Sequence, residues 1–209
     1  MIFFVLYFIL VSYIFAYRFI KDLKILDDDL LAKNWFKAAL FFNVISSLGT
    51  FYLAYMMATK NVVQDWYLSS IYYYLHFQYN GWFFFACMGL AFGFLNLRKS
   101  EHSFYETSFN LFAIACVPAY FLSTLWLDLP LWIYIITVIA ALVQVYAWFK
   151  FLPILLKTRK NVLESYSPLL RYILVFVSFA LSIKLLLQLG STVPIISQLA
   201  FGFRPIVIA

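Results

Sequence analysis

The chain has 209 residues, of which 66% are hydrophobic, 22% are aromatic and 11% are charged, and its formal net charge is +6. Soluble domains carry roughly 25% charged residues, so a water-soluble fold could not bury this much apolar surface. The mean hydropathy of +0.91 therefore indicates an all-α membrane protein, a polytopic bundle of transmembrane helices. The expected partner is the lipid bilayer, and the positive charge does not indicate a nucleic-acid partner.

Six stretches supply the roughly 20 mostly apolar residues that a membrane crossing needs. They predict spans at about 2–18, 35–58, 68–96, 108–127, 130–152 and 169–189. A seventh apolar segment, 193–209, is interrupted by prolines and an arginine, which predicts a partial span. Together these segments predict one transmembrane domain over 1–209. Because the sequence stops within an apolar stretch, we expect it to continue or to end against further subunits or a second copy.

Lysine and arginine are concentrated in alternate loops. Loops 18–37 and 150–171 hold five each and loop 96–107 holds two, whereas the loops between them hold only Lys60. Basic loops mark the cytoplasmic side of a membrane. The pattern therefore predicts an N-terminus outside, in a bacterial-type plasma membrane, and the acidic run at 27–29 is interpreted as a solvated part of the first basic loop.

Two proline signals refine these boundaries. Ser167-Pro168 places an N-cap residue and a first-turn proline at the start of the sixth span. Pro118 lies inside the fourth span, where it is expected to kink the helix.

The third span, 68–96, is unusually long. At 1.5 Å per residue it exceeds the thickness of the hydrocarbon layer. It contains the stretch YYYLHFQYNGWFFF, residues 72–85, which places polar side chains among aromatic ones. The helix is therefore expected to tilt, to protrude, or to break near Asn80-Gly81.

The polar residues of this span are predicted to share one face. Tyr72, His76 and Asn80 are spaced i, i+4, i+8, which stacks them along the helix. Gln78 and Tyr79 are predicted to point elsewhere. A polar stripe of this kind is costly in lipid, so it should face the bundle interior or a water-filled cavity.

A buried histidine has three interpretations. It can be a neutral imidazole that hydrogen-bonds a neighbouring helix and fixes packing. It can ligate a metal or a haem, since neutral imidazole is the commonest nitrogen ligand. It can also relay protons in a transporter or channel, and the residues around His76 leave these three open.

The stretch YYYLHFQYNGWFFFACMGLAF resembles the histidine-bearing helix of haem-copper oxidase subunit I, the family that includes cytochrome oxidases and nitric oxide reductases. The likeness covers this one helix and rests on the segment 75–79, Leu-His-Phe-Gln-Tyr, followed by Met88 and Gly89. It implies that His76 is a haem-iron or metal ligand in a redox-linked protein, with Gln78 in place of the family's second histidine. The other histidine, His102, is interpreted as a solvated loop residue, so a second ligand would come from another subunit, a symmetry mate or sequence beyond 209.

Two cations complete the candidate site. Lys184, near the outer end of the sixth span, either snorkels to the headgroups or pairs with a substrate or a haem propionate. Arg204 either anchors the chain at the interface or binds an anionic headgroup or a propionate. The polar residues of the second span, Asn43, Ser46 and Ser47, are expected to form interhelical hydrogen bonds.

The sequence thus supports three functional hypotheses. The first is a haem- or metal-binding, redox-linked membrane protein that uses His76. The second is a transporter or channel with a polar pathway along the third span. The lack of a central intramembrane carboxylate counts against cation-driven transport. The third is a non-catalytic subunit of a larger complex. Catalytic residues are not assigned, because no hydrolytic motif is present.

Overall fold

The structure, a computed structural model, describes residues 2–158, 160, 166–193 and 195–196. In this part of the chain the regular elements are helices, with no β-strand and one isolated β-bridge. The predicted all-α class is confirmed. The chain divides into two compact units, 1–106 and 107–209.

The N-terminal unit is built from four helices and the start of a fifth. They are α1 (Ile2–Asp22), α2 (Ala32–Thr59), α3 (Gln64–His76), α4 (Phe84–Phe94) and α5 (Ser103–Cys116). A 3₁₀ turn, Leu23–Ile25, follows α1. A seven-residue π-helical segment, Phe77–Phe83, joins α3 to α4.

The C-terminal unit continues from α5 into a 3₁₀ segment, Pro118–Thr124, followed by α6 (Leu131–Thr158) and α7 (Pro168–Gly190). The predicted kink at Pro118 is confirmed, since the α-helical and 3₁₀ segments on its two sides meet at 43°. The predicted cap of the last helix is also confirmed, because Ser167 Oγ accepts the Leu170 N–H at 3.4 Å.

Three of the described helices are long and apolar enough to cross a membrane, namely Ala32–Thr59, Leu131–Lys157 and Pro168–Gly190. A fourth is added if the bent pair on either side of Pro118 counts as one span. This count is lower than the six predicted. One reason is that the π segment divides the third predicted span into α3 and α4, of 13 and 11 residues, each too short to cross alone.

The backbone nevertheless stays helical through both ends of the π segment. Phe77 has φ −72° and ψ −21°, and Phe84 has φ −60° and ψ −49°. Residues 64–94 therefore form one uninterrupted helical rod, here named the third rod. Of the predicted alternatives, a break near Asn80-Gly81 is not found, because the helix widens there and continues.

Helix α2 packs closely against the third rod because glycines remove side chains at the contact. A Cβ on Gly49 would lie 2.6 Å from the Ser70 carbonyl oxygen, and one on Gly81 would lie 2.6 Å from the Phe42 Cβ. Beyond the Phe42–Gly81 contact, nearer the start of α2, the fully buried Trp35 ring contacts Phe85, with centroids 5.2 Å apart. This contact fixes the register between α2 and the residues around His76.

The loops before α2 and after α4 meet at one end of this unit in a structure here named the loop clasp (27–33 with 97–101). Leu30 and Arg98 form the isolated bridge. The Leu31 N–H donates to the Leu97 carbonyl at 3.3 Å, and the Lys99 N–H donates to the Asp29 carbonyl at 3.0 Å. The clasp joins the basic loops 18–37 and 96–107 of the sequence.

Candidate functional site

The third rod carries the candidate site at its π segment. His76 is the last residue of α3, and Asn80 and Gly81 lie inside the widened turns. π-Helical insertions inside α-helices are rare and occur frequently at functional sites. The stretch singled out from the sequence is thus also the stretch where the helix departs from α geometry.

Gln78 points away from the predicted polar face and towards α2. Its Nε2 donates to Asn43 Oδ1 at 3.1 Å and to Ser46 Oγ at 2.6 Å. Asn43 Nδ2 in turn donates to Ser12 Oγ on α1 at 2.7 Å, and Ser46 Oγ donates to the Asn43 carbonyl at 2.6 Å. We name this network, which joins α1, α2 and the third rod, the Gln78 network (Ser12, Asn43, Ser46, Gln78).

A second contact joins α1 and α2 beside the Gln78 network. Ser47 Oγ donates to the Val44 carbonyl at 2.6 Å and lies 2.5 Å from the Tyr13 hydroxyl. Because the serine proton is used on Val44, the tyrosine is the donor in this second bond. The expected interhelical hydrogen bonds of Asn43, Ser46 and Ser47 are therefore present.

His76 is buried, with 3% of its surface exposed. Its Nδ1 lies 3.2 Å from Asn80 Nδ2, one turn further along the same rod. The Phe77 ring meets the imidazole edge-on, with centroids 5.1 Å apart. Two of the three residues of the predicted stripe are therefore in direct contact, and the third, Tyr72, is half-buried one turn before them.

The Asn80 contact selects one form of the imidazole. An amide NH₂ group can only donate, so Nδ1 must accept, and a neutral ring then carries its proton on Nε2. Histidines that bind metal through Nε2 have the opposite arrangement, in which Nδ1–H donates to a carbonyl or a carboxylate. The contact in this structure thus suits a hydrogen-bonding or proton-carrying imidazole.

The described residues do not fit a haem held by two histidines of this chain. Gln78, in the place of the second family histidine, is held by α2. The only other histidine, His102, lies past the end of α4 and accepts the Phe104 N–H at 3.1 Å, which leaves roughly 25 Å of helix between the two imidazoles. Among the described residues no group of three His, Cys, Asp or Glu side chains could hold a metal ion.

Lys184 is the one of the two predicted cations that the structure describes. Lys184 lies on α7 in the C-terminal unit, on an exposed part of the helix. Arg204 lies outside the described residues, as does most of the predicted segment 193–209. Within the C-terminal unit, the Tyr134 hydroxyl donates to the Thr192 carbonyl at 2.7 Å, which connects the start of α6 to the end of α7.

No protein-family model, no curated protein and no solved structure matches this chain. Its function therefore has to be inferred from its own residues and their geometry.

Sequence reasoning missed the Gln78 network as a unit. Asn43 and Ser46 were each expected to bond another helix, but nothing in the sequence pairs them with Gln78 or with Ser12. A usable pattern exists, since Asn43 and Ser46 are spaced i, i+3 on one face of α2. The π segment, by contrast, leaves no comparable pattern in the sequence.

Proposed function

We propose that the chain is an integral membrane transporter or channel in which His76 handles protons on a polar pathway along the third rod. The observation that carries the proposal is the contact of 3.2 Å between Asn80 Nδ2 and His76 Nδ1 inside the π-helical region. It supplies a buried imidazole in a defined tautomer, which is the group that a proton relay requires.

The position of His76 supports this role. It is the thirteenth residue of the 31-residue rod, so it lies roughly 18 Å from the start of that rod. In a crossing of roughly 30 Å this depth is close to the midplane of the bilayer. Ionisable residues at such depth face the protein interior and mark proton or ion pathways.

The topology proposed with it has six crossings, an N-terminus outside and the basic loops in the cytoplasm. Two observations support it. Helical segments lie at all six predicted positions, if the third rod and the bent pair at Pro118 each count as one, and three or four of them are long and apolar enough to cross a membrane. The clasp also places the basic loops 18–37 and 96–107 at the same end of the N-terminal unit, as two loops on one side of a membrane must be.

The test is proton flux in proteoliposomes that contain the purified full chain and a pH-sensitive dye. We expect flux above that of protein-free liposomes, reduced at least tenfold in His76→Ala because the imidazole is the proton carrier. His102→Ala is the matched control, since it removes the other histidine, which lies in a loop, and it should keep the flux.

Two other results would each overturn the proposal. A haem absorption band in the purified protein that disappears in His76→Ala would establish the haem-binding, redox-linked alternative, with its second ligand outside this chain. Absence of flux together with stoichiometric co-purification of other membrane proteins would establish a non-catalytic subunit. In that case the His76–Asn80 pair only packs the helix.

A further inference from the structure

Two groups of cations lie at the clasp end of the N-terminal unit, beside the half-buried Lys99 of the clasp itself. Lys33 forms an ion pair with Asp28, and Arg98 forms ion pairs with Asp27 and Asp29 at 3.0 and 3.8 Å. The other group consists of four exposed side chains that make no ion pair with any described carboxylate: Arg18, Lys21, Lys24 and Lys37. We name these four residues the basic rim.

We propose that the basic rim binds the phosphate groups of anionic phospholipids in the adjoining leaflet. The proposal rests on membrane insertion, which is part of the proposed function, and it is independent of His76 and of any transport. Clusters of four or more lysines and arginines directly after a membrane-spanning helix attract anionic lipids.

Packing between α1 and α2 brings the rim together. The Phe19 and Phe36 rings contact edge-on, with centroids 5.6 Å apart. Their sequence neighbours Arg18 and Lys37 therefore lie at the same level of the two helices. Leu23, beside Lys24, is buried in one cluster with residues of both helices, so the 3₁₀ turn holds that lysine at the same end.

Apolar side chains among the cations point to a lipid and not to a dissolved anion. Ile25 is 87% exposed and Ile20 is 43% exposed, each close to a rim lysine. Lys21 Nζ lies 4.5 Å from the centre of the Tyr17 ring, an arrangement that suits the membrane interface. Acyl chains would cover the isoleucines while the cations reach the phosphates, whereas inorganic phosphate would leave Ile25 in water.

The nearby acidic residues are paired within the loop clasp. The backbone N–H of Asp29 and the Arg98 guanidinium lower the pKa of Asp27, and the Lys33 ammonium lowers the pKa of Asp28. These carboxylates therefore stay ionised and paired inside the clasp. Asp22 lies in the same stretch as Arg18, Lys21 and Lys24, and the charge of Lys37 also acts on Asp28, so these two carboxylates offset only part of the four positive charges.

The experiment measures thermal stabilisation of the full chain in detergent on titration with phosphatidylglycerol, phosphatidylcholine or inorganic phosphate. We expect phosphatidylglycerol alone to stabilise the protein, with an apparent affinity that weakens about fivefold for each rim cation removed. High salt should weaken the effect, because exposed charges are screened.

The variants are Lys21→Gln and the triple change Arg18→Gln, Lys21→Gln, Lys24→Gln. Lys60→Gln is the matched control, since Lys60 is exposed at the opposite end of α2. The two rim variants should lose phosphatidylglycerol stabilisation progressively while keeping the unfolding temperature measured in phosphatidylcholine, and Lys60→Gln should behave as the unmodified chain. Lys21→Arg, which keeps the positive charge, should bind phosphatidylglycerol as the unmodified chain does.

Three outcomes would overturn the proposal. They are equal stabilisation by phosphatidylcholine, equal stabilisation by inorganic phosphate, and unchanged phosphatidylglycerol affinity in the triple variant. None of them depends on proton flux. A failure here therefore leaves the proposed function standing, and a failure of flux leaves lipid binding standing.

Discussion

Gln78 and His76 lie two residues apart on the third rod, and their described hydrogen-bond partners lie on different helices. Gln78 bonds two side chains of α2, whereas the Asn80 amide that meets His76 belongs to the same rod. The first arrangement joins helices, and the second sets the chemical form of one ring. One polar segment thus serves assembly on one side and, by our proposal, proton chemistry on the other.

The largest expected effect comes from the glycine that lets α2 approach the rod. Gly49→Ala would place a Cβ 2.6 Å from the Ser70 carbonyl oxygen and 3.0 Å from the Tyr74 amide nitrogen. Backbone atoms cannot move aside cheaply, so we expect a loss of about 1–3 kcal/mol or more in the free energy of unfolding. The measurement is thermal or denaturant unfolding in detergent.

Gly190→Ala is the control for this change. Among the described residues, no atom outside the helix's own backbone lies within 4 Å of the added Cβ at that position, so its unfolding temperature should match that of the unmodified chain. Equal behaviour of the two variants would contradict the close packing of α2 on the third rod.

The next largest loss of stability is expected when the Gln78 network is removed. Gln78→Leu deletes two donated hydrogen bonds and leaves Asn43 Oδ1 without that donor. Interhelical hydrogen bonds in membranes contribute about 0.6 kcal/mol each on average, with larger values at buried sites. We therefore expect a loss of about 1–2 kcal/mol, whereas Gln64→Leu at the exposed start of α3 should change little.

A double-mutant cycle sharpens this test. Asn43→Leu combined with Gln78→Leu should cost less than the sum of the two single changes, because residues in direct contact are not additive. Strict additivity would show that the two amides do not interact in the folded protein.

The smallest effect concerns the loop clasp, which holds the same two helices at their ends. Asp27 and Asp28 have pKa values below the ordinary 3.8. Their contribution to stability is fully present above that ordinary value, and it is lost as the pH falls from there through their lowered pKa values in the folded state. We therefore expect these residues to contribute a constant stabilisation at pH 5–8, with unfolding midpoints that fall in more acidic buffer.

The paired change Asp27→Asn, Asp28→Asn should remove most of this acid sensitivity. The control is Asp65→Asn, since Asp65 is an exposed carboxylate at the start of α3 with no described ion pair. An acid transition that persists unchanged in the double variant would contradict the role of the clasp.

Hydropathy and charge were enough to place the helices. The predicted spans 35–58 and 169–189 appear as Ala32–Thr59 and Pro168–Gly190, because a long apolar run and its capping residues are local properties of the chain. The kink at Pro118 follows from the missing N–H of proline in the same way. These features need no knowledge of what lies beside the helix.

The site was predictable only in part. The i, i+4 spacing correctly predicted that Asn80 lies beside His76. The π segment was not predicted, because a widened helix depends on packing against Phe42 and on the Gln78 bonds to α2. The acidic run at 27–29 is solvated as predicted. Its pairing with Arg98, 71 residues away, could not be inferred from a single sequence.

The most direct test of the account is the proton position on the His76 ring, measured by NMR of ¹⁵N-histidine-labelled protein in bilayers, with His102→Gln to simplify the spectrum. The account predicts a neutral ring with Nε2 protonated and Nδ1 unprotonated, and a shift of the proton to Nδ1 in Asn80→Asp, whose carboxylate accepts where the amide donated. A proton on Nδ1 in the unmodified chain, or a metal bound at Nε2, would contradict it.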